Sequence, residues 1–184
     1  MIEVIIHGRG GQGVVVASEI LAAAMFNEGK HVQAFPSFGA ERRGAQVAAF
    51  MRGSDEPVLL RCQIARPDHV IVLDASILHN TDIGKTLKAG GWIVVNTAGR
   101  PDLSGQTGNY QVATVDANEI AVRHGLGTRQ SAIVNTAILG AFAKVTGVVR
   151  LESLLATIDQ FVPLKREENA LATRDAFELV KEVN

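Results

Sequence analysis

Two short stretches concentrate residue types that bind anions. Gly8-Arg9-Gly10-Gly11-Gln12-Gly13 places four glycines in six positions, directly behind the apolar run Ile2-Glu3-Val4-Ile5-Ile6. Glycine at that density means that a ligand approaches the backbone closely, or that the chain turns where a Cβ would clash. The spacing is G-x-G-x-x-G between a strand and a helix, the setting in which backbone N–H groups and a helix N-terminus receive a phosphate. The second stretch, FPSFGAERRGA from Phe35 to Ala45, joins two aromatics, a proline and two glycines to Glu41 and the pair Arg42 and Arg43. Guanidinium forks hold phosphates and carboxylates bidentately, while Phe35 and Phe38 can anchor on an apolar surface. In an open parallel sheet both stretches leave the carboxyl ends of strands, the ligand edge, and so share one crevice.

A dinucleotide site for NAD also requires an acidic residue near the end of the second strand, about 20 residues past the glycines, to hold the ribose. The sequence there reads Ala34-Phe35-Pro36-Ser37. Two possibilities stay open: an NADP-type site with Arg42 and Arg43 on the 2′-phosphate, or a loop that serves no dinucleotide. Other chemistry is missing. The chain has no nucleophile elbow, no supported Ser-His-Asp set, no paired acids and no P-loop lysine. Asp74 ends a strand, Asp116 follows one, and both read as helix caps. Cys62 reads as a buried thiol, and as the only cysteine it excludes an internal disulfide and a cluster built on several thiolates of this chain. The five histidines, His7, His31, His69, His79 and His124, lack the spacing of a helical metal site. No catalytic residue and no metal ligand is therefore expected.

The elements that must position these loops follow from the apolar periodicity. Strands are expected at Ile2 to Ile6, His31 to Phe35, Gln46 to Met51, His69 to Asp74, Trp92 to Asn96 and Tyr110 to Val115. Helices are expected at Val14 to Glu28, Ser76 to Ala89, from an Asp116 cap to His124, Ile133 to Val145, and Arg166 to Val183 with Ala170, Phe177 and Val180 turned inward. The first and second strands, joined by a helix, should form a parallel pair. The fold class that results is α/β: a three-layer α/β/α sandwich, Rossmann-like, around a largely parallel sheet.

At 184 residues, residues 1–184 read as a single domain large enough to bury a core. A net charge of −1 supplies no basic field, so nucleic acid and anionic lipid are set aside as partners. Charged or polar residues interrupt every long apolar stretch, which argues against a signal peptide or a membrane span and for the cytoplasm. Hydrophobic residues make up 47% of the chain, a surplus that can cover partner surface.

Taken in chain order, HGRGGQG, FPSFGAERRGAQV, PDHVIVLD and IVNTAILGAFAKVTG resemble the gamma subunit of 2-oxoacid:ferredoxin oxidoreductases, of the pyruvate type. The resemblance implies a multisubunit enzyme with alpha, beta and delta (or fused) subunits. That enzyme decarboxylates a 2-oxoacid on thiamine diphosphate with Mg, passes electrons through iron–sulfur clusters to ferredoxin, and transfers the acyl group to coenzyme A. One cysteine cannot ligate those clusters, and no Gly-Asp-Gly with a downstream Asn is present for thiamine diphosphate, so both cofactors are expected in sister subunits. What remains for this chain is an interfacial role with a share in positioning coenzyme A. The positions that match the family's loops are Gly8, Gly10, Gly11, Gln12, Gly13, Phe38, Glu41, Arg42 and Arg43. The alternative of a different class is a free-standing NADP-dependent oxidoreductase.

Overall fold

The computed structural model describes residues 1–37 and 44–183. Its centre is a seven-stranded sheet of β1 (Ile2–Arg9), β2 (His31–Ser37), β3 (Gln46–Ser54), β4 (His69–Val72), β5 (Gly91–Asn96), β6 (Tyr110–Val115) and β9 (Lys181–Val183), in the order β2-β3-β1-β4-β5-β6-β9. A separate hairpin joins β7 (Gly127–Thr128) to β8 (Ser131–Ala132). The helices are α1 (Val14–Asn27), α2 (Ile83–Thr86), α3 (Ala117–Arg123), α4 (Ala137–Thr146), α5 (Leu151–Phe161) and α6 (Arg166–Leu179), with a 3-10 helix at Ala75–His79.

Strand alternation divides the core. On one face Val4, Ile6, Ala49, Met51 and Ile71 pack under α1, α3, α4, α5 and α6. On the other, Ile5, Phe50, Val70, Val72 and Val95 pack under the 3-10 helix, α2 and coil. The sandwich therefore has helices on both faces, as the sequence suggests, but one helical layer is much thicker. Residues Ala137 to Ala143 of α4 are all buried, which agrees with an apolar pattern that runs nearly all round that helix.

The helix α1 shows how local sequence sets an element. It ends where Gly29 adopts φ 86°, a conformation that favours glycine. Gly29 N–H then bonds Phe26 O at 2.8 Å and Lys30 N–H bonds Met25 O at 3.1 Å. That pair is the Schellman arrangement, and it turns the chain directly into β2.

Several expectations are corrected. The strands β1 and β2 do not pair, because β3 enters between them, antiparallel to both. The expected helix from Ser76 to Ala89 is a 3-10 helix plus the single turn of α2. Gln106 breaks it by accepting from Ile83 N–H and Gly84 N–H at 2.8 and 3.1 Å while donating to Leu78 O and Thr81 O at 2.7 Å each. The last helix stops at Leu179, since Val180 is extended and β9 then pairs with Val112–Thr114 of β6. The buried stripe of α6 is Asn169, Ala172, Thr173 and Ala176, whereas Ala170, Phe177 and Val180 are only partly covered. Cys62 is exposed, in the coil after β3, although the buried Arg52 donates to its carbonyl at 2.8 Å and to its Sγ at 3.9 Å. The helix α5 was not anticipated, and α4 begins at Ala137 because residues 133–136 still descend from the hairpin.

Candidate functional site

The chain runs from β1 to β2 and β3 on one side, then crosses to β4 on the other, so the order reverses between β1 and β4. The carboxyl ends of these two strands are the place where open α/β sheets bind ligands. The glycine loop leaves β1 there, and the turn into the 3-10 helix leaves β4.

Three of the loop glycines are required by close packing or by backbone conformation. A Cβ at Gly8 would lie 2.5 Å from Val14 Cγ2 and 3.3 Å from Leu73 Cβ, so only glycine lets α1 and β4 close on β1. Gly11 and Gly13 have φ 99° and 76°, in the left-handed region. A Cβ at Gly13 would also lie 2.6 Å from Asn135 Nδ2. Gly10 N–H donates to Ala45 O at 2.9 Å, tying the loop to the chain just after the second signature stretch. Gln12 spends its side-chain carbonyl on the loop itself, accepting Arg9 N–H at 2.7 Å while its own N–H donates to Arg9 O at 3.0 Å. Gly13 caps α1 without a side-chain hydrogen bond, which leaves the first-turn amides to a ligand or solvent.

Arg9, which sequence reasoning passed over, is a strut. Its Nε donates to Asp74 Oδ2 at 2.9 Å, Nη2 to Ser76 Oγ at 2.6 Å and Nη1 to Gly44 O at 3.2 Å. One guanidinium thus bridges the switch point from the glycine loop to the β4 turn and to the rim of the second loop. Asp74 caps the 3-10 helix as expected, accepting Ser76 N–H at 3.0 Å. Partial burial by itself would raise its pKa, but the Ser76 hydrogen bonds and the Arg9 charge outweigh it and hold the carboxyl below its ordinary value. Beneath the loop, among the described residues, His7 Nδ1 is buried without a hydrogen-bond partner. Burial lowers the pKa of this imidazole to about 4, so it is neutral at physiological pH.

The glycine loop forms the wall between two clefts of opposite character. One, of about 490 Å³, is polar and lies between Gly10-Gly11-Gln12 and the β7–β8 hairpin, with Asn118, Arg129 and Gln130 on its far side. The other, of about 360 Å³, is lined by Val14, Val15, Val16, Pro36 and Val47. Amides and a cation on one side and aliphatic surface on the other suit a long ligand with an anionic and a less polar part. No sequence signal marked the hairpin, because two-residue strands are too short to show alternation.

The structure brings Gly8, Gly10, Gly11, Gln12 and Gly13 together at this edge. Phe38, Glu41, Arg42 and Arg43 lie outside the described residues, while the residues that bracket them, Ser37 and Gly44, stand at the same edge. Among the described residues no group of three or more His, Cys, Asp or Glu side chains is placed to hold a metal ion, and no helix is long and apolar enough to cross a membrane. The NADP-dependent alternative finds no support. In a dinucleotide fold the second strand lies beside the first and carries its ribose-binding residue to the glycines, but here β3 separates the two.

Comparison with known proteins agrees with this geometry. The chain is 48% identical over 182 residues to the pyruvate synthase subunit PorC of Methanothermobacter marburgensis, covering 98% of each chain. It is 49% identical over 183 residues to the pyruvate/ketoisovalerate oxidoreductases common subunit gamma of Thermococcus kodakarensis, covering 96% of each. Its fold matches the crystal structure of pyruvate oxidoreductase subunit PORC from Thermotoga maritima with a TM-score of 0.84 at 37% identity, over 100% of this chain and 98% of that one. With residues 3–179 also matched by the family model for pyruvate ferredoxin/flavodoxin oxidoreductase, the chain belongs to that family, as a gamma subunit of a 2-oxoacid oxidoreductase complex.

Proposed function

We propose that this gamma subunit, acting as one domain, holds coenzyme A at the glycine loop of a pyruvate-type complex. Sister alpha, beta and delta (or fused) subunits of a cytoplasmic assembly would carry the redox chemistry and pass electrons to ferredoxin. Thiamine diphosphate and iron–sulfur clusters supply decarboxylation and electron transfer there; the only cysteine of this chain cannot provide a cluster's thiolates. The observation that carries the reading is the glycine loop set between a polar and an aliphatic cleft, which fits a nucleotide diphosphate joined to a pantetheine arm.

In this reading the loop amides and the α1 N-terminus bind phosphate, and Arg42 and Arg43 add charge or meet a partner's acids. Arg9 fixes the loop and is not itself a ligand. The T. kodakarensis relative is named as common to pyruvate and ketoisovalerate oxidoreductases, which supports placing the choice of 2-oxoacid in other subunits. Leu59 and Leu60, 85% and 47% exposed in sequence-adjacent positions, offer apolar surface for assembly.

The test is the Arg42→Ala/Arg43→Ala variant of the whole complex. The expected result is a raised KM for coenzyme A, or weakened assembly, with the KM for pyruvate unchanged. Unchanged assembly together with unchanged kinetics would remove both residues from the site.

A further inference from the structure

Among the described residues, the polar cleft holds one basic side chain that the fold has not used. Arg9 also lines it, but its guanidinium is committed to Asp74, Ser76 and Gly44. Arg129, at the tip of the hairpin, lines this cleft opposite the glycine loop and also an adjoining one with Asp116 and Glu119; it is exposed and has no ion pair or side-chain hydrogen bond among the described residues.

The hairpin that carries it is rigidly rooted. Gly127 pairs with Ala132 and Thr128 with Ser131, leaving Arg129-Gln130 as a two-residue tip. Ile133 N–H bonds Leu126 O at 2.9 Å, Leu126 N–H bonds Ala121 O at 2.8 Å, and both Leu126 and Val134 are buried in the core. Gly127 adopts φ 92° and is pressed against the Ser131 carbonyl, so a larger residue would splay the hairpin. Such a base fixes the point from which the guanidinium reaches, and the planar fork of arginine suits bidentate recognition of a phosphate.

Two anion-binding elements therefore face each other across one cleft: backbone amides on the loop and a guanidinium on the hairpin. Coenzyme A carries two separate anionic groups, a diphosphate within its chain and a 3′-phosphate monoester on its ribose. Close backbone amides at a helix N-terminus suit the diphosphate. We infer that Arg129 binds the 3′-phosphate and is the residue by which this subunit distinguishes coenzyme A from its dephospho form. The inference rests on the coenzyme A reading of the cleft and adds to it a specificity residue outside the glycine loop and the Arg42-Arg43 pair.

The experiment uses the intact complex, with Arg129→Gln and Arg129→Lys compared with the unsubstituted protein. Calorimetric titrations with coenzyme A and with 3′-dephospho-coenzyme A accompany steady-state KM values for both and for pyruvate. Arg129→Gln is expected to weaken coenzyme A about 10- to 100-fold, the size of a lost charge-assisted hydrogen bond, while dephospho-coenzyme A and pyruvate are unaffected. Arg129→Lys should restore part of the discrimination. If Arg129→Gln weakens both forms equally or neither, the assignment is overturned. A silent Arg129→Gln overturns this inference alone; the coenzyme A reading falls only if, in addition, neither the Arg42→Ala/Arg43→Ala variant nor a Gly11→Ala variant of the loop weakens coenzyme A.

Discussion

His7→Leu should change how stability depends on pH more than it changes stability itself. Burial holds the His7 imidazole at a pKa of about 4, against an ordinary value of 6.5 in an unfolded chain. The unfolded state therefore takes up the proton first as pH falls. Above pH 6.5 both states are neutral and the residue adds no slope; between 6.5 and about 4 the unfolded state binds more protons, so stability falls as pH is lowered. The gap corresponds to about 3 kcal/mol lost across that window. Leucine has a similar volume, does not titrate, and removes a ring nitrogen that is buried without a described partner, so at pH 7.5 the variant should match or slightly exceed the parent. The assay is urea unfolding of both chains at half-unit steps from pH 7.5 to 4.5. Other titrating groups cancel in the difference, and the variant's advantage should grow steadily below pH 6.5. A difference that stays constant across the series would show that His7 is solvated, and the argument from its burial would fail.

Two further perturbations test the frame around the site. Gly140→Ala puts a Cβ into the Thr173 carbonyl where α4 crosses α6, and should cost about 2–3 kcal/mol, read by denaturant unfolding; a neutral result would mean that the two helices separate freely. Asp74→Ala removes the 3-10 cap and the acid that holds Arg9. It should cost about 1–2 kcal/mol and speed amide exchange at Gly10, whereas unchanged exchange there would deny Arg9 its role as a strut.

The sequence made the strands legible where alternation or continuous apolar runs were long enough. Tyr110–Val115 has the same bounds in the structure, and Asp116 caps α3 through Glu119 N–H at 2.9 Å. It did not show the strand order, because Gln46–Ser54 carries nothing local that says whether it pairs outside β2 or inserts beside β1. It also hid the interruption after the 3-10 helix, which depends on Gln106, 23 residues beyond Ile83. The same limit kept Arg9 out of view. Its position inside the motif is variable in type, and its role becomes visible only when Asp74, 65 residues later, arrives at the neighbouring strand end.

The glycine pattern itself carries two requirements that a motif cannot separate. Gly8 lets the first helix close on the sheet, and Gly13 fits beneath Asn135; both would be needed in a fold that bound nothing. Gly10 and Gly11 instead form the wall shared by the two clefts, the part of the loop a ligand would meet. Dinucleotide binding depends on a third party, the end of a second strand placed beside the first, and β3 takes that place here. The loop geometry is therefore retained while the strand that would carry its usual ribose partner is displaced. What faces the glycines across the polar cleft is a hairpin bearing an arginine, an element that the dinucleotide pattern does not include.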